Sequence, residues 1–166
     1  MISEIRIYIE GGGDYKDTKA RMRQGFGNFL EDLRHIARSR RIRWQIIACG
    51  PRNDAHNNFL MALETHPDAF NVLLVDSEGP VDTSPCKHLE IRDGWSLPGV
   101  DDAHCHLMVQ IMEAWLVADI DTLSDFYGHR FNPNPIPKNP NVEEIDRNSR
   151  SVCATSGRTV HIGEKA

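Results

Sequence analysis

Ile5, Ile7 and Ile9 alternate with Arg6 and Tyr8, the period-two pattern of a strand. The run ends in Glu10-Gly11-Gly12-Gly13-Asp14, which reads as a loop leading into a helix capped by Asp17 or Thr18. Phe26, Phe29, Leu30, Leu33, Ile36 and Ala37 then recur at three and four, the apolar stripe of one amphipathic helix. Gly25 and Gly27 lie within it, each at a cost of about 1 kcal/mol in a helix, so close packing against a sheet is expected there. Arg43 to Cys49 predicts a second strand, Gly50 to Asp54 a loop and cap, and Phe59, Leu60 and Leu63 a second helix that stops near Pro67. Val72 to Val75 is apolar without alternation, as in a parallel strand covered on both faces. The order is βαβαβ.

Beyond Val75 the pattern weakens. Pro80 to Asp102, rich in Pro, Gly and Asp, reads as a long loop, and His104 to Gln110 as another strand. Met112 to Ala118 and Asp121 to Tyr127 predict two short helices, the second capped by Asp121. Phe131 to Pro140 holds four prolines, which remove donors and fix φ, so it is read as irregular. Ser149 to Ala166 is polar and weakly patterned. The expected architecture is a single α/β domain with a mainly parallel, Rossmann-like sheet flanked by helices.

With 166 residues, 40% hydrophobic and 26% charged, the chain has enough length for one proper core. No stretch approaches the roughly 18 to 20 apolar residues of a membrane span, and no secretory leader is recognisable, so a cytoplasmic location is expected. Cys49, Cys86, Cys105 and Cys153 form no CxxC pair and are read as reduced thiols. Net charge is −5, yet Lys16 to Arg43 carries nine Lys or Arg against three acids. That run is either a solvated helix face or a surface facing phosphate.

Candidate chemistry gathers where strands end. Glu10 follows the first strand, and Asp76 and Glu78 follow the third; open α/β sheets place their sites at such ends. Converging carboxylates repel unless a cation lies between them, and hard oxygen ligands favour Mg²⁺ or Mn²⁺. Asp14 adds a fourth oxygen if the helix begins early. Glu113, a carboxylate in the apolar run LMVQIMEAWLVAD, must be paired, bind metal or sit on the exposed side of its helix. Arg52, Asn53 and Asp54 either bind phosphate or cap the next helix, while His104 and His106 are either a metal pair or structural. Arg92-Asp93-Gly94-Trp95 is read as a turn with Trp95 as a contact surface, Asp119 as a helix-end residue, and Trp44 and Trp115 as core. The GGGD loop lacks the Lys-Ser/Thr of a phosphate-binding loop.

The segments YIEGGGD and LLVDSEG resemble the two signatures of the Toprim domain, shared by topoisomerases, bacterial primases, small ribonuclease-maturation nucleases and overcoming-lysogenisation-defect nucleases. The combination of IYIEGGGD, ACGPRNDA, LLVDSEGP, RDGW, DDAHCHLMVQIMEAWLVAD, FYG and NPNVEEI resembles an uncharacterised bacterial family of unknown function grouped with Toprim proteins. The resemblance implies a Toprim-like domain over residues 1–155. It makes Glu10 the Toprim glutamate, Asp76 and Glu78 the metal-binding pair, with Glu78 longer than the usual Asp, and Asp14 an accessory acid. Residues 156–166 diverge as a polar tail, a truncated or altered C-terminus being one reading of it. The activity implied by the resemblance is that of a Mg²⁺- or Mn²⁺-dependent nuclease using Glu10, Asp76, Glu78 and Glu113, with Arg21, Arg23 and Arg52 holding DNA or RNA. A separate ATPase subunit is the implied partner, by analogy in phage defence. The alternatives are a non-catalytic binding subunit and a small phosphatase or nucleotidyl hydrolase.

Overall fold

Four segments form one parallel sheet: β1 (Glu4–Glu10), β2 (Arg43–Gly50), β3 (Ala69–Asp76) and β4 (Cys105–Met108), in the order β2-β1-β3-β4. The computed structural model describes residues 2–134 and 136–145. β1 is central, pairing in parallel with β2 from Glu4↔Arg43 and with β3 from Glu4↔Ala69 to Ile9↔Leu74. Its alternation therefore does not mark a wet face. Tyr8 is buried with Ile7 and Ile9, its ring edge-on to Phe59 at 6.4 Å. Phe59 belongs to α3 (Arg52–Thr65), whose buried Ala55, Phe59 and Ala62 recur at four and three. The run Asn71 to Val75 of β3 is buried throughout, as the unbroken apolar sequence predicts.

Within this α/β domain the contacts gather into two compact units, the first being Met1–Val75 with Ser96–His106. The single helix expected before β2 is two, α1 (Lys16–Phe29) and α2 (Glu31–Ser39), separated at Leu30. Of the expected stripe only Phe26 and Ala37 are buried, while Phe29, Leu33 and Ile36 are exposed. The glycines are not there for close packing either. A Cβ on Gly25 would meet nothing within 4 Å, and one on Gly27 only Arg34 Nη1 at 3.9 Å. Neither expected residue caps α1: Tyr15 holds the N-cap position, and Thr18 Oγ1 donates back to Tyr15 O at 2.9 Å from within the first turn.

The end of α2 forms a Schellman closure. Ile42 N donates to Ala37 O at 2.9 Å and Arg41 N to Arg38 O at 2.9 Å, leaving Arg41 in the left-handed region at φ 60°, a place that glycine usually takes.

The second unit comprises Asp76–Trp95 and the described residues from Leu107 to Ile145. The expected loop from Pro80 to Asp102 contains α4 (Pro85–Asp93), which starts with proline at its first position and ends on left-handed Gly94. Only Leu89 of α4 is buried, too little apolar signal for a periodic reading. α5 (Met112–Leu116) and α6 (Ile120–Tyr127) follow. Asp119, not Asp121, caps α6 by accepting from Thr122 N at 2.9 Å and Thr122 Oγ1 at 2.7 Å. These bonds hold the Asp119 carboxyl below its usual range, the backbone N–H first.

β4 is shorter than expected because His104 belongs to a 3₁₀ turn capped by Asp101. Trp95 is buried rather than a contact surface, and Trp44 is half-buried rather than core. The described cysteines Cys49, Cys86 and Cys105 are thiols. The residue 155 boundary, the tail 156–166 and Cys153 lie outside the described residues. No helix among the described residues is long and apolar enough to cross a membrane.

Candidate metal centre

β1 delivers Glu10 to its carboxyl end, and the chain then reverses through three glycines with φ of 116°, 85° and 57°. Left-handed backbone of this kind costs a non-glycine residue about 1–2 kcal/mol each. The loop is clamped to the end of β2 by a reciprocal pair, Gly11 N to Gly50 O at 2.8 Å and Gly50 N to Gly11 O at 2.9 Å. Gly50 allows no substitute, since a Cβ there would lie 2.8 Å from Gly13 O. Lys19 Nζ donates to Cys49 O at 2.9 Å and ties α1 to the same strand end. Glu10 is in turn gripped from the first residue of α3: Arg52 Nη1 lies 2.8 Å from Glu10 Oε2, both side chains under one-fifth exposed.

The DSEG turn is held by the backbone around it. Asp76 Oδ1 accepts from Met112 N at 2.8 Å, so this carboxylate caps the first turn of α5, where a negative charge is favoured. Ser77 is fully buried; its N–H donates to Met108 O at 3.0 Å, its hydroxyl to Gly79 O at 2.6 Å, and its carbonyl faces His88 Nε2 at 2.8 Å. Glu78 N donates to Gln110 O at 2.8 Å, and the residue sits at φ 62°. A left-handed glutamate is strained, and such strain concentrates at functional positions. Arg92 Nη2 faces Glu78 Oε2 at 3.9 Å.

β1 and β3 are neighbours with Ile9 opposite Leu74, so Glu10 and Asp76 end adjacent strands. One carboxylate oxygen from each of Glu10, Asp76 and Glu78 lies within 4.8 Å of the other two, all three residues being half-buried. Two oxygens bound to one cation at about 2.1 Å for Mg²⁺ or about 2.4 Å for Ca²⁺ lie at most about 4 to 5 Å apart. The spacing and the all-oxygen donor set suit a hard divalent ion.

The other expected site residues fall outside this group. α1 begins at Lys16, so the early helix start that would bring in Asp14 does not occur, and Asp14 is exposed. Glu113 is on the exposed side of α5, the third of the options its sequence setting left open. Arg21 and Arg23 are exposed on α1. His104 and His106 are engaged separately, the first against Asn71 O at 2.6 Å and the second against Ala103 O at 3.2 Å, and neither joins a group of three ligands among the described residues. Sequence reasoning missed the Met112 N–H, Arg92 and His88. Arg92 alone carried a signal, as a cation in the RDGW segment.

Behind the glycine clamp, burial pushes the Cys49 thiol up to about 11. It stays protonated at neutral pH.

A parallel α/β sheet with three acids converging at neighbouring strand ends is the class of protein this geometry defines. More particularly, the chain belongs to the family described as "Domain of unknown function (DUF4276)", whose model matches residues 9–156 and so spans Glu10, Asp76 and Glu78. No curated protein and no solved structure matches it.

Proposed function

We propose that the protein is a divalent-metal-dependent hydrolase of phosphodiester bonds, a Toprim-like nuclease acting on DNA or RNA in the cytoplasm. The observation that carries this reading is the approach of Glu10, Asp76 and Glu78 to within 4.8 Å of one another at the strand ends. These three side chains would hold Mg²⁺ or Mn²⁺. When bound, the ion supplies a polarised phosphodiester oxygen and an acidified water.

The protein's own part is to keep the oxygens in place. Arg52 fixes Glu10, Met112 N fixes Asp76, and the Glu78 backbone is pinned to Gln110. Fixed ligands need no rearrangement when charge develops, which is where most of the electrostatic benefit lies. By the same reading Arg21 and Arg23 face the polymer, and Asp14 and Glu113 assist from outside the three-acid group. The resemblance to overcoming-lysogenisation-defect nucleases supports a separate ATPase subunit as partner and a role in phage defence.

A second reading has one observation in its favour. Arg52 and Arg92 each face one of the acids, so the group is partly neutralised without metal, as a non-catalytic binding subunit would need. The deciding experiment incubates the purified chain with single- and double-stranded DNA and RNA in Mg²⁺, Mn²⁺ or EDTA, beside Asp76→Asn. Metal-dependent cleavage lost in the variant supports the nuclease. Intact polymer in every lane, with no heat of metal binding by calorimetry, leaves the binding subunit.

A further inference from the structure

The arginines at the end of α2 and the start of β2 belong to no part of the acidic site. Arg34, Arg38, Arg41, Ile42, Arg43, Trp44 and Gln45 line an open recess of about 460 Å³. Four guanidinium groups on one concavity are unexpected in a chain of net charge −5. Two of them have carboxylate partners, Arg34 with Glu31 at 2.9 Å and Arg43 with Glu4 at 3.3 Å. Arg38 and Arg41 make no ion pair among the described residues.

Finally, Arg41 occupies the left-handed closing position of α2 at φ 60°, where glycine would fit without strain. A strained arginine is kept at the rim where an unstrained residue would serve the helix.

We propose that this recess binds the phosphate backbone of a nucleic-acid strand, with Arg38 and Arg41, the two arginines of the lining that make no ion pair among the described residues, contacting phosphates. Phosphate contacts position a polymer without reading its sequence. The recess is therefore a holding surface, separate in residues from the acids proposed to cut. This deepens the nucleic-acid reading by naming where the polymer is held, and it rests on that reading only for the identity of the polymer, not for the metal.

The test is fluorescence anisotropy of a short labelled single-stranded DNA, and of the matching RNA, titrated with the full chain in EDTA over a range of salt. Binding is expected with a steep salt dependence. The double variant Arg38→Ala/Arg41→Gly is expected to bind at least tenfold more weakly, with its log–log salt slope reduced by about 1.4 for two lost single-strand phosphate contacts. Arg41→Gly alone is expected to raise the melting temperature while weakening binding, a pairing that general unfolding cannot produce. Inorganic phosphate at millimolar concentration is expected to compete poorly with the polymer.

Absence of binding in EDTA by the wild-type chain overturns the proposal, whatever the cleavage assay gives. So does unchanged affinity and slope in the double variant, or full displacement by inorganic phosphate. Binding in EDTA without cleavage in metal keeps the recess and removes the nuclease.

Discussion

Arg52 Nη1 and Glu10 Oε2, 42 residues apart in sequence, meet at 2.8 Å between the start of α3 and the end of β1. The pair lowers the charge of the acidic group, because Arg52 offsets the Glu10 carboxylate, which would otherwise repel its acidic neighbours at close range. Arg52→Ala is expected to lower stability by about 2 kcal/mol in metal-free buffer, read from urea unfolding in EDTA. With the Glu10 charge no longer offset by Arg52, the variant should gain more from Mn²⁺ than the wild type does. Equal indifference of both proteins to Mn²⁺ would argue against a metal centre.

Asp76 has two tasks that substitution can separate. Asn keeps an oxygen for Met112 N, whereas Ala leaves that N–H without the acceptor it now has at 2.8 Å. Asp76→Asn is expected to stay close to wild-type stability and to lose the thermal shift given by Mg²⁺ or Mn²⁺. Asp76→Ala should lose the shift and a further 1–3 kcal/mol or so. A metal shift surviving in both variants would place the ion elsewhere.

Glu78 at φ 62° gives an opposed pair of effects. Glycine removes the left-handed strain, worth about 1 kcal/mol, and also removes a ligand oxygen. Glu78→Gly should therefore melt no lower than the wild type and respond less to metal. A marked drop in melting temperature would show that the side chain's own contacts outweigh the strain.

Cys49 sets a pH dependence at the alkaline end. Its thiol ionises at about 11 in the folded protein against an ordinary 9.0. The folded state holds the proton longer, so this contribution is fully present below pH 9.0, falls as pH rises towards 11 and then levels off. Two units correspond to roughly 2–3 kcal/mol. Cys49→Ala should show a flatter stability profile across that window, and the difference between the two profiles is the quantity to measure. Identical slopes would mean the thiol is not held neutral by burial.

The strands and the three acids were legible for the same reason. An apolar run that stops at a carboxylate marks both a strand end and a charge placed at the sheet edge, and Glu10, Asp76 and Glu78 each lie at or just past such a stop. Asp14 could not be placed, because the start of α1 depends on the φ values of three glycines and not on any periodicity. Arg52's partner needs the register of β1 against β2, which no local pattern holds. α4 was hidden because Pro85 and Gly94, its own boundary residues, are also loop residues by composition. The stripe from Phe26 to Ala37 misled for the opposite reason: its spacing suits one helix, but the chain breaks at Leu30 and leaves Phe29, Leu33 and Ile36 exposed. The recess became visible only with the turn at Arg41, since a run of arginines has no concavity of its own.

The strand order carries a consequence for synthesis. β1 leaves the ribosome before both of its neighbours and lies between them in the sheet, flanked by β2 and β3. It therefore waits, apolar and unpaired, until residues 43–50 and then 69–76 have been made. Asp76 waits longer still, because the amide that caps it belongs to Met112. Any interval in translation before residue 76 therefore leaves one edge of β1 without its partner strand and open to whatever else is in the cell.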